Sequence, residues 1–142
     1  MYAVLYKRSL RIIAFSLMLL CAFLIEGLVI NSINNRDIRN PSERIDFLES
    51  IGVKVDADSL YEEEIKIPAK FSDVYKQYNN LQKSAGFNLE EYKGITVTKY
   101  TYKVLDADNL FVNMLCYKGR VIGGDISSAV LGGEIWPLCK EK

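Results

Sequence analysis

Apolar residues run almost unbroken from 12 to 30, IIAFSLMLLCAFLIEGLVI. Beyond residue 40 the pattern breaks into short segments of helical or alternating period. Nineteen residues at about 1.5 Å each reach roughly 28 Å, close to the ~30 Å hydrocarbon core of a bilayer. Lys7, Arg8 and Arg11 precede the run with no acid among them. The positive-inside rule then puts residues 1–11 in the cytoplasm and the chain beyond 30 outside it. Glu26 lies close enough to the outer end of the span to reach the headgroups. The expectation is an uncleaved single-pass anchor in the cell membrane. The alternative is a secreted protein released by signal cleavage, with an apolar core at 12–25 and a cut near Asn31. Leu20 before Cys21 argues against a lipoprotein signal.

After a polar stalk at 31–40 (NSINNRDIRN), a domain over 41–142 is expected. Asn40 or Ser42 caps its first helix, Pro41 suits the first turn and Glu43 adds an acid there. Ile45, Leu48 and Ile51 share a helical face, with Phe47 beside it, and Gly52 ends the helix. Val53 to Val55 reads as a short strand, 56–61 as a turn, and Ile65 to Ile67 as a second strand stopped by Pro68. Ser72 caps a second helix whose apolar face is Val74, Tyr78, Leu81 and Ala85, flanked by Phe71 and Tyr75. Three strands follow, over 95–105, 110–117 and 120–126, the last two joined by a turn at Lys118 and Gly119. The tail beyond 127 reads as loop, with Trp136 folded back on the core. The fold class is therefore α+β: one transmembrane helix, then a small domain with two helices packed on one face of an antiparallel sheet. Leu48, Val74, Leu81, Val112 and Leu115 should fill its core.

Charge and composition narrow the chemistry. The first thirty residues hold three of 18 basic and one of 18 acidic residues. The remaining chain is thus slightly acidic, with no electrostatic footprint for nucleic acid. There is no histidine, which removes the usual general base and the commonest metal ligand. No metal or cofactor is expected. Cys116 and Cys139, both on the exported side, could close a disulfide loop; a buried thiol and a free one are the alternative.

Four further features bear on chemistry. The acids Glu62, Glu63 and Glu64 read as a solvated strand edge rather than a calcium site. Gly-Gly-Asp at 123–125 lacks the residues that make it a cyclic-dinucleotide synthase signature. Ser127 and Ser128 have no adjacent base. Tyr92, Tyr100, Tyr102 and Tyr117 could form an aromatic platform for a peptide or glycan, or fill half-buried strand positions.

The block FSDVYKQYNNLQKSAGFNLEEYKGITVTKYTYKVL, then NMLCYKGRVIGGDISS, resembles a family of exported Gram-positive bacterial proteins catalogued as domain of unknown function 4830. The opening ERIDFLESIGVKV is similar to the start of that domain. The resemblance implies a short N-terminal anchor and one small α+β domain, and brings no catalytic residue. The leading expectation is a non-enzymatic binding or sensing module for an envelope protein, peptide or wall component. Its candidate site is Asn80 and Gln82 with Gly123, Gly124 and Asp125. The alternatives are a wall or lipid-surface enzyme using carboxylates such as Glu62, Asp106 or Asp125, and an assembly protein acting through its membrane helix.

Overall fold

The computed structural model describes residues 16–18, 37–105, 107–130 and 132–138. The chain divides into two compact units, Met1–Asn35 and Arg36–Lys142. In the first, residues 16–18 are helical; the rest of the expected anchor at 12–30, with Glu26 and Cys21, lies outside the described residues. Among the described residues no helix is long and apolar enough to cross a membrane.

The second unit opens with helix α1, Pro41–Ser50. The Asn40 side chain accepts from Ser42 N, and Pro41 occupies the first turn, where a missing N–H costs nothing. At the far end Gly52 N reaches Glu49 O and Val53 N reaches Leu48 O, both at 2.9 Å, a Schellman closure around a left-handed Gly52. The inward face is Arg44, Phe47 and Leu48. The stalk expected over 31–40 does not extend to residue 40. Ile38 is 1 % exposed and its N–H donates to Gly119 O at 2.9 Å, so residues 37–40 belong to the domain.

Strand β1 runs unbroken over Val55–Lys66. The two short strands expected there are one, because the intervening turn is a bulge. Register jumps between Asp56, opposite Lys103, and Tyr61, opposite Thr101. Ser59 holds the excess residues, donating to Asp56 O at 2.6 Å and accepting from Lys103 N at 2.8 Å. Helix α2, Asp73–Ser84, is capped by Ser72 as expected. A 3-10 turn, Leu89–Tyr92, leads into β2 (Thr96–Val104), β3 (Leu110–Tyr117), β4 (Arg120–Ser128) and a short β5 (Ile135–Pro137). The tail read as loop therefore supplies a fifth strand. Trp136 is paired opposite Ile126 and 37 % exposed rather than folded back. The five strands form one antiparallel meander in the order 1-2-3-4-5. Lys118 and Gly119 both take positive φ in the β3–β4 turn, the type I′ geometry that two-residue hairpins favour.

The helices lie on opposite faces of this sheet, not on one. Arg44 of α1 bonds Tyr102 of β2, and Tyr78 of α2 bonds Asp125 of β4. Asp125 pairs with Asn113 and Asn113 with Thr101, the neighbour of Tyr102. Adjacent strand residues point to opposite faces, so the two helices must also. Under α2 and the 3-10 turn sit Ile67, Phe71, Leu89, Val97, Leu115 and Ile122. Under α1 sit Tyr100, Tyr102, Val112 and Met114, all buried. Leu48, Val112 and Leu115 are core residues as expected; Leu81 is half-buried, and Val74 is 76 % exposed. The buried positions of α2 are Asn79 and Gln82, so its inward face is rotated away from the apolar stripe.

Candidate functional site

Four of the five expected site residues come together, and what they build is a joint. Gln82 is 0 % exposed, and its Oε1 accepts from Gly124 N at 2.8 Å. Its Nε2 is buried without a partner among the described residues. A Cβ at Gly123 would stand 2.9 Å from Gln82 Oε1 and 3.1 Å from Leu89 Cδ2. Gly123 thus lets α2 sit directly on β4, where Gly124 N holds Gln82. Asp125, 7 % exposed, accepts from Tyr78 Oη at 2.7 Å and from Asn113 Nδ2 at 2.9 Å. Asn113 also donates to Ser127 Oγ at 3.1 Å and accepts from Thr101 Oγ1 at 2.8 Å, extending a polar row across three strands. Asn80 is exposed and takes no part.

Burial, then the Asp125 charge, pushes the Tyr78 hydroxyl far above the usual phenol range, so it remains a donor. A raised folded value means that this contribution is complete below about pH 10, the unfolded value, and declines as pH rises beyond it. Tyr78→Phe should cost about 1–2 kcal/mol, since a charge-assisted bond is lost while Asp125 keeps Asn113. Urea unfolding at neutral pH measures it. A change within error would mean that solvent already serves Asp125.

The other expected features separate. Tyr100 and Tyr102 are buried on the α1 face, whereas Tyr117, next to Cys116, points to the opposite side and meets Tyr92 edge-on at 5.8 Å. They form no platform. Glu62 of β1 lies opposite Tyr100 of β2 on the α1 face, while Asp125 lies under α2, so these two carboxylates do not share a cleft. Asp106 lies outside the described residues. Glu63 bonds Lys99 at 2.7 Å, and no group of acids or thiols among the described residues could hold a metal ion. Cys116 is a free thiol, 5 % exposed, and burial pushes its pKa well up. Cys139 lies outside the described residues. Ser127 accepts from Asn113 and Ser128 Oγ accepts from Val130 N.

A different place has the shape of a site. A cavity of about 170 Å³ lies on the α1 face, lined by Ile38, Arg39, Thr98, Tyr100, Cys116 and Lys118 together with Gly119. One wall is the segment leading into α1. It is held from inside by Arg44, 3 % exposed, whose Nη1 donates to Ile38 O (3.2 Å) and Arg39 O (3.0 Å). The guanidinium also lies 4.1 Å over the Tyr100 ring, which forms part of the floor. The other wall is the hairpin turn. A Cβ at Gly119 would crowd Asp37 and stand 3.0 Å from Arg39 Nε. Arg39 is paired with Asp37, whose carboxyl it holds down at about 2. Lys118 has no acidic partner among the described residues. The sequence carried one signal for this wall: Ile38, an apolar residue set in a charged stretch two positions before the helix cap.

These features define a small α+β domain: an antiparallel meander with a helix on each face and a small pocket of mixed lining on the α1 face. The chain belongs to the family described as Domain of unknown function (DUF4830), whose family model matches residues 47–126. That span takes in Thr98, Tyr100, Cys116, Lys118 and Gly119, and leaves out Ile38 and Arg39. No curated protein and no solved structure matches the chain.

Proposed function

We propose that this protein is a non-enzymatic binding module of the cell envelope, held by a single membrane span at residues 12–30 with its domain outside the cytoplasm. The pocket between the 37–39 segment and the Lys118–Gly119 turn carries this reading. It offers a cation, two hydroxyl-bearing residues and a thiol whose raised pKa keeps it unreactive. That set suits recognition of a polar or anionic group rather than bond cleavage. The apolar run and the basic residues before it support the location.

The test is crosslinking on intact cells with a membrane-impermeant amine reagent, applied to the full-length chain and to Lys118→Glu. The expected result is labelling of domain lysines and one dominant envelope component that the variant loses. Domain lysines that label only after lysis would overturn the location. Equal capture by both chains would overturn the pocket.

A further inference from the structure

We infer that the pocket end of the sheet docks on anionic phospholipid headgroups of the membrane that anchors the chain, with a headgroup phosphate beside Lys118. This rests on the anchored reading above and names the ligand of the same pocket.

Strand register gathers cations at this end. β1 ends at Lys66, opposite Thr96 where β2 begins, and β3 and β4 meet at Lys118, Gly119 and Arg120. Lys70 follows in the connection to α2. Lys66, Lys70, Lys118 and Arg120 are all exposed, and none has an ion-pair partner among the described residues. β1 and β3 are two strand spacings apart, roughly 10 Å. Glu64, two residues before Lys66, is the nearest unpaired acid along β1. The same end also holds Asp37, paired with Arg39, and Glu91, near Tyr92 and Arg120, while the opposite end of the sheet carries Asp56, Asp58, Asp108 and Glu134 beside Lys54 and Lys103.

Chain length bounds how far this end can lie from residue 30. Ile38 N is bonded to Gly119 O, so the hairpin turn is tied to the point where the domain begins. Seven residue steps from the end of the apolar run to Asp37 span at most about 25 Å. Attraction between Lys or Arg and an anionic leaflet decays within a Debye length of about 8 Å. A tether this short keeps the cations at high effective concentration near that layer, an advantage no soluble anion shares.

The experiment uses the full chain reconstituted in vesicles of phosphatidylcholine alone or mixed with phosphatidylglycerol. Flotation reads anchoring; hydrogen exchange of residues 117–121 reads docking. The chain should float with both vesicles, with hairpin exchange slowed only where phosphatidylglycerol is present. Lys118→Ala and Arg120→Ala should each reduce that protection about fivefold. Failure to float with either vesicle overturns the anchor and the proposal with it. Flotation with equal exchange on both lipids overturns the headgroup site alone. Equal protection on phosphatidylcholine from added inorganic phosphate would also overturn it, by assigning the pocket to a soluble anion.

Discussion

Replacing Arg44 with Met should destabilise the domain by about 3 kcal/mol. Methionine fills a comparable volume, so the loss is chiefly polar. Tyr102 Oη loses the donor at 2.9 Å, and Ile38 O and Arg39 O lose theirs. Tyr102 and Ile38 are buried, so water cannot replace those bonds without opening the structure. Each buried group left unserved costs about 1–3 kcal/mol. Contact of the guanidinium with the Tyr100 ring adds to the loss. Against this stands relief from desolvating a cation that has no carboxylate partner among the described residues, which removes part of the penalty. For a domain of about a hundred residues the net change lowers the melting temperature by some 12 °C or more. Lysine should not rescue, because one ammonium cannot reproduce the three bonds and the ring contact together. Adding Tyr102→Phe to Arg44→Met should cost less than Tyr102→Phe alone, with a coupling of about 1–2 kcal/mol. Simple additivity would show that Arg44 and Tyr102 are neighbours without mutual dependence. The same substitution also bears on the pocket, because Arg44 holds the wall made by Ile38 and Arg39.

Arg44 also shows where the sequence stops being informative. Local chemistry was readable: Asn40 and Ser72 cap the helices, Gly52 closes α1, and Lys118 with Gly119 turns the hairpin. Each acts over a few residues. The inward face of α2 was not readable, because it is chosen by partners distant in sequence. Asn79 Oδ1 accepts from Leu89 N at 2.8 Å and Gln82 Oε1 from Gly124 N, so amides are buried to serve backbone N–H groups. A hydrophobicity pattern ranks those positions as solvent-facing and promotes Val74 instead. The two-sided sheet left a trace in β3, where residues 114–116 are buried in succession as expected of a strand covered on both faces. The pocket depends on Ile38 meeting Gly119 across some eighty residues, and nothing in the spacing announces that contact. The candidate site at Gly123, Gly124 and Asp125 proved to be occupied by the protein's own helix, through Gln82 and Tyr78.

That assignment sets the order of damage among the glycines. Gly124→Ala should cost about 3 kcal/mol, near the upper end for overpacking a filled site. Its Cβ would press on the Asn113 carbonyl oxygen and stand 2.9 Å from Leu138 Cδ2. Asn113 belongs to the paired backbone of β3, so it cannot retreat without breaking the ladder. Gly123→Ala meets softer neighbours, the ends of the Gln82 and Leu89 side chains. It should cost about 1–2 kcal/mol, because those ends can shift by a few tenths of an ångström at the expense of the Gln82 bond. Gly52→Ala has nothing within 4 Å and pays only for a left-handed backbone, about 1 kcal/mol. Urea unfolding of the three variants beside the parent protein measures the series. Should Gly123→Ala prove the most damaging, the helix rather than the strand ladder would be the rigid partner in the joint. Should Gly123→Ala leave stability intact, α2 would not be seated on β4, and Gly123, Gly124 and Asp125 would again be open to a role in binding.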